Sequence, residues 1–127
     1  IQLFDVFHTL DREKLAKELV KQGVLNNKKF FIQVNTGREE NKSGVYLEQL
    51  DEFINYCRND LTLNIIGLMC IPPINESPTK HFQMIIDLTN EFGLGGPSIG
   101  MSSDYEEALN FGPKYIRLGT VLFGKRL

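Results

Sequence analysis

Two short stretches late in the chain carry residue types suited to holding an anion: Ser102-Ser103 and Gly119-Thr120. Each follows a run that reads as a strand and opens a run that reads as a helix or turn. A helix start leaves backbone N–H groups unpaired and carries about half a positive charge. Two such starts side by side could clamp one phosphate with no lysine at all. The serine and threonine hydroxyls add donors, and Gly119 lets the backbone approach closely. Arg117 stands two residues before Gly119, so strand alternation puts both on one face. If that face lines a site, Arg117 sets a permanent positive charge beside the phosphate and points at the ring of a phosphorylated cofactor.

Plainer readings stand beside these. Ser103 and Glu106 also spell a capping box, serine first and glutamate three later. An arginine on a strand is commonly an exposed edge or ion-paired residue. Met69 and Met101 read as core or mouth packing. His8 ends a strand and could serve a site, whereas His81 falls in a first helical turn and reads as solvated. Neither histidine has partners at metal or triad spacing. Asp11, Glu39, Glu40 and Asp104 read as surface or capping charges.

The elements that would position these groups follow from periodicity. Strands are predicted at 1–7, 29–35, 63–70, 98–101 and 114–118. Helices are predicted at 10–22, 46–59, 78–92 and 103–111, with a terminal turn at 121–123. Leu15, Leu19 and Val20 share a face of the first helix, and Leu47, Leu50, Phe53, Ile54 and Cys57 form the stripe of the second. The third helix starts at Ser77-Pro78 and turns Phe82, Ile85, Ile86 and Phe92 inward. The third strand is nearly all apolar, as in strands covered on both faces. Strict alternation of strand and helix implies parallel strands joined by right-handed crossovers.

Composition sets the outer limits. The chain has 127 residues, 42% hydrophobic and 24% charged, with a net charge of −2. Those values suit one globular domain. The charges are interspersed, so no basic block invites nucleic acid. The apolar runs are too short to span a bilayer, which excludes a membrane partner. Cys57 and Cys70 have no CxxC spacing and are too few for a disulfide scaffold; they read as small buried hydrophobes in a reducing cytoplasm.

Two α/β architectures remain open. One is a small open parallel sheet, complete in itself. The other is the C-terminal five β/α units of a (β/α)8 barrel of TIM type. The polar, glycine-containing strand ends at Thr9, Asn35-Thr36-Gly37, Ser102-Ser103 and Gly119-Thr120 favour the barrel, which places its ligands there.

The strings FIQVNTGREENKSGV, IIGLMCIPP, SIGMSSDYEEAL and YIRLGTVLFGKR, with HTLDR at 8–12, resemble the pyridoxal phosphate homeostasis family, relatives of the alanine racemase N-terminal domain. The resemblance covers about residues 4–126. It implies a (β/α)8 barrel of roughly 220 to 250 residues that binds pyridoxal 5'-phosphate (PLP) through a lysine in an AVSK-like motif. That motif, a GEN motif and a HFIGxLQxNK-like stretch do not occur here. On this reading the chain lacks the N-terminal units with the Schiff-base lysine, and no lysine present takes its place. Residue by residue, the resemblance gives Ser102, Gly119 and Thr120 to the phosphate and Arg117 to the ring nitrogen. It sets Met101 beside the ring and Met69 at its own strand end. Asn35 falls at the mouth. The family pattern departs at 94–99, where Pro97 stands near a strand start.

The function implied is cytoplasmic PLP homeostasis, a small-molecule-binding role without robust turnover. Such a full-length protein is expected to be monomeric, while five strands alone would expose two sheet edges and self-associate. Two rivals are a PLP-dependent amino-acid racemase and a phosphate-ligand-binding α/β domain without PLP. A racemase needs a lysine base and an opposing acid, and the sequence shows neither.

Overall fold

The computed structural model describes residues 3–23 and 27–125. Five strands, β1 (Val6–Leu10), β2 (Lys29–Gln33), β3 (Ile65–Met69), β4 (Ser98–Met101) and β5 (Tyr115–Arg117), form one parallel sheet in sequential order. Between and after them run α1 (Glu13–Lys21), α2 (Leu47–Asn55), α3 (Pro78–Glu91), α4 (Tyr105–Leu109) and α5 (Thr120–Phe123). A π-helical turn, Tyr56–Asp60, extends α2 and buries Cys57.

The expected alternation is therefore present, with shifts at the ends. The first strand was expected over 1–7; Ile1 and Gln2 lie outside the described residues, and β1 runs on to Leu10, so His8 sits mid-strand rather than at its end. β2 opens at Lys29 as expected and ends at Gln33, two residues early. In α1 the packed residues are Leu15, Ala16 and Leu19, while Val20 is exposed. The helix has only nine residues, and its inward face is one position narrower than the stripe read from sequence. The α3 helix starts at Pro78 as expected, although the Ser77 side chain makes no capping bond.

Alternation divides the strand residues into two layers. Phe30, Ile32 and Val34 of the second strand segment join Leu10, Leu68, Cys70 and Ile99 in the helix-covered core, with Leu50, Phe53, Phe82 and Ile85 from the helices. The opposite face carries His8, Phe31, Ser98 and Tyr115. The His8 ring stacks on Phe31 at 4.7 Å between centroids, and Tyr115 meets His8 edge-on at 5.2 Å. In a flat sheet, four strand spacings would hold β1 and β5 about 19 Å apart. Contact between side chains of the two edge strands therefore requires a curled sheet. The structure is a half-barrel with helices outside and an aromatic layer inside, so the flat open-sheet alternative falls.

Three polar residues depart from their expected places. His81 is buried at 2% exposure, with Nδ1 bonded to Thr36 Oγ1 at 2.9 Å, instead of solvated. The first turn of α3 faces the sheet at this point, and Thr36 lies 45 residues earlier, beyond any local pattern. Asp11 is no surface charge: its side chain is 7% exposed and accepts the Gly44 N–H at 3.0 Å. The Ser103 to Glu106 capping box does not form, because Asp104 is the N-cap of α4 and its carboxylate takes the Met101 N–H at 2.7 Å. That bond closes a tight turn over 101–104 and moves the helix start past Ser103.

Candidate functional site

The ends of β4 and β5 meet at one point. Register pairs Met101 with Arg117, so the turns that follow the two strands start side by side. Ser102 joins them: its Oγ accepts the backbone N–H of Gly119 and of Val121, each at 3.1 Å. The serine thereby ties the first turn of α5 to the end of β4. With both lone pairs engaged, the hydroxyl proton is left to donate to a third group.

Ser102 borders an open cavity of about 580 Å³, lined also by Met101, Ser103, Arg117, Gly119, Thr120, Val121, Phe123 and Gly124. No lysine is among these residues. A Cβ built on Gly119 would meet nothing within 4 Å, so the backbone there is open to close approach by a ligand. Thr120 and Ser103 are exposed, and Met101 forms part of the rim. Met69 stands elsewhere: it is 1% exposed and does not line this cavity. Asn35 has a third role, since its side-chain amide spans the loop that follows β2. It donates to the Glu39 carbonyl at 2.8 Å and accepts the Glu39 N–H at 3.0 Å.

Arg117 lies on the floor of the cavity and is partly buried, although β5 is an edge strand of the sheet. Its Nη1 donates to Ser98 Oγ at 2.9 Å and to the Ser98 carbonyl at 3.3 Å; its Nη2 donates to the Cys70 carbonyl at 3.1 Å. Burial is the main influence on this guanidinium and lowers its pKa, but from an ordinary value so high that it stays charged. Cys70 lies beneath it as an inert thiol, pushed up to about 12 mainly by burial.

Sequence reasoning missed His8 and Ser98 as supports of this arginine. His8 Nδ1 sits 2.8 Å from Ser98 Oγ. Burial, and then the Arg117 charge, hold the His8 pKa below its ordinary 6.5. A depressed histidine favours its neutral form in the fold, whereas the unfolded chain binds the proton near pH 6.5. This contribution to stability is therefore full above pH 6.5 and is lost as pH falls through the folded value. Urea midpoints at pH 7.5 and 5.5 should show a smaller acid loss in His8→Asn than in the native chain. An equal loss would mean that His8 does not titrate as described.

The chain matches the family described as alanine racemase, N-terminal domain, over residues 1–126. It is 38% identical over 132 residues to the pyridoxal phosphate homeostasis protein of Aquifex aeolicus, covering 95% of this chain and 58% of that protein. The protein of the same name from Escherichia coli K12 is 32% identical over 133 residues, covering 97% of this chain and 57% of its own length. The chain thus spans less than two thirds of these relatives. Among solved structures, PipY of Synechococcus elongatus with PLP bound superposes with a TM-score of 0.74 at 27% identity, covering 95% of this chain and 61% of that one. Alanine racemase of Corynebacterium glutamicum superposes at a TM-score of 0.68 with 15% identity, covering 95% and 36% of the two chains, a likeness of fold. The half-barrel and the match along nearly all of its length lead to one assignment: this chain belongs to the alanine racemase N-terminal domain family.

Proposed function

We propose that this chain forms the phosphate and ring-nitrogen side of a PLP site in a protein of PLP homeostasis. The single observation that carries this reading is the Ser102 bridge, which aligns two strand ends on one open cavity with a charged arginine at its floor. The donor set fits a phosphate ester. Ser102 has one hydroxyl proton to give, Thr120 has another beside it, and Gly119 admits an oxygen close to the backbone. The related PipY structure contains PLP, and the relatives in Aquifex and Escherichia are named for PLP homeostasis.

When bound, PLP supplies an aldehyde that condenses with amines and a ring that can accept electrons. Arg117 limits the second property. A guanidinium is a donor only, so it hydrogen-bonds an unprotonated pyridine nitrogen and leaves the ring a weak electron sink. Holding the cofactor is then favoured over turning substrate over. The covalent lysine belongs, on this reading, to the β/α units found in the longer relatives. Met101 would flank the ring from the rim. No helix among the described residues is long and apolar enough to cross a membrane.

The test is a fluorescence titration with pyridoxamine 5'-phosphate, which needs no lysine, against pyridoxamine, which lacks the phosphate. Saturable binding of the phosphorylated form alone is expected. Equal binding of both, or of neither, overturns the assignment. Alanine racemisation by a full-length relative carrying this segment would overturn the non-catalytic part. The outer strands β1 and β5 also leave unpaired edges, and Val121, Leu122 and Phe123 are exposed. Sedimentation should show the isolated chain associating as its concentration rises; a monomer across a hundredfold range would contradict this.

A further inference from the structure

The floor of the cavity continues inward as a chain of hydrogen bonds that crosses the half-barrel. Arg117 on β5 holds Ser98 on β4, and Ser98 holds His8 on β1. The direction of each bond follows from counting donors. Arginine has no acceptor, so Ser98 Oγ must accept from Arg117 Nη1. Ser98 is fully buried at 0% exposure, and its own proton then needs a partner. Among the described residues, the acceptor within reach is His8 Nδ1, 2.8 Å away. His8 is thus fixed as the neutral tautomer with its proton on Nε2. Phe31 stacked on its face and Tyr115 at its edge hold the ring in that orientation.

We infer that His8 is a positioning residue: acting through Ser98, it aims the Arg117 guanidinium at the ring nitrogen of the bound cofactor. This rests on the reading that Arg117 faces that ring. Arg117 has two anchors, the Cys70 carbonyl just past the end of β3 and Ser98 at the start of β4. The Ser98 hydroxyl can serve as an acceptor at full strength only while its proton is taken up by His8. If Nδ1 is lost or protonated, the hydroxyl proton is orphaned or must compete for direction, and the Nη1 arm is left with only its longer bond to the Ser98 carbonyl, 3.3 Å, to fix its aim. The charged and titratable groups facing His8 are Arg117 and the Tyr115 phenol, both on β5. Arg117 opposes protonation of His8, so the relay holds at neutral pH and weakens in acid.

The experiment titrates four variants with pyridoxamine 5'-phosphate and with inorganic phosphate. His8→Phe keeps a ring on Phe31 but offers Ser98 no acceptor; it should weaken the first ligand about tenfold and leave inorganic phosphate unchanged. His8→Asn sets an amide oxygen near the place of Nδ1 and should restore most of the affinity. It should also lose the fall in affinity expected of the native chain as pH drops through the folded His8 value, which lies below the ordinary 6.5. Arg117→Met should weaken the same ligand, and adding His8→Phe to it should change nothing more, because the histidine acts through the arginine. Ser98→Ala, which cuts the relay at its middle, should match His8→Phe and serves where that variant folds poorly. If Arg117→Met weakens binding while His8→Phe and Ser98→Ala do not, or if the His8 and Arg117 effects simply add, the positioning role is overturned and the cofactor assignment survives. If Arg117→Met leaves affinity intact, the assignment of Arg117 to the ring fails and takes this inference with it.

Discussion

Replacing Ser102 by alanine and Thr120 by valine together should weaken PLP binding about a hundredfold, a loss of ~3 kcal/mol. Hydrogen bonds to a charged acceptor are worth about 1.5–3 kcal/mol each, and on the proposed assignment both hydroxyls donate to one phosphate. Thr120→Val keeps side-chain shape, so it removes a donor and little else. Ser102→Ala does two things. It deletes a donor to the ligand, and it releases the Gly119 and Val121 N–H groups that Ser102 Oγ holds at 3.1 Å. Those amides lie on exposed residues, where water can replace the lost acceptor at small cost. The double variant should therefore unfold at nearly the native urea midpoint while binding poorly. Affinity and stability are thus read separately. Native-like affinity in a folded double variant would remove both residues from the phosphate site.

The sequence shows the elements because their causes are local. The run at 63–70 is apolar apart from Asn64, and β3 is covered by helices on one face and by the aromatic layer on the other. The stripe of Leu50, Phe53 and Ile54 recurs at helical spacing and is buried as expected. The paired turns after β4 and β5 are also legible, because close backbone approach and hydroxyl donors demand particular residue types at particular strand ends. What stays hidden depends on partners far along the chain. Nothing near His8 announces Ser98, 90 residues away; the contact exists only because the sheet curls. Asp11 meets Gly44 across 33 residues, and His81 meets Thr36 across 45. Each looked like a surface group because its local pattern was polar. The failed capping box has a different cause. Ser103 and Asp104 are both good caps in adjacent positions, and the strand-end amide of Met101 decides between them by bonding the aspartate.

The same long-range dependence makes one glycine critical. Gly67 lies in the middle of β3, between β2 and β4, where alanine is acceptable by local propensity. A Cβ there would come 1.9 Å from the Gly96 carbonyl oxygen and 2.6 Å from Phe31 Cε1. Neither obstacle yields cheaply. Gly96 belongs to the turn that enters β4, held by the Gly95 N–H on the Ile66 carbonyl at 2.9 Å and by Lys114 N–H on the Pro97 carbonyl at 2.8 Å. Phe31 is fully buried beneath the His8 ring. Moving the turn shifts Ser98, and moving Phe31 shifts His8, so both routes of relaxation reach the support of Arg117. Gly67→Ala should cost ~3 kcal/mol or more, since overpacking against backbone sits at the upper end of its range, and should lower Tm by about 10 °C. Gly95→Ala, in the same turn, is the matched control. Its Cβ would find Ile66 O at 3.4 Å and Lys114 Nζ at 3.6 Å, ordinary contacts, and stability should stay within about 1 kcal/mol of native. Thermal and urea unfolding of the two variants side by side decide the matter. Equal stability of the two would mean that β3 and the turn before β4 are not packed as closely as this structure places them, and the alignment of Ser98 under Arg117 would lose its cause.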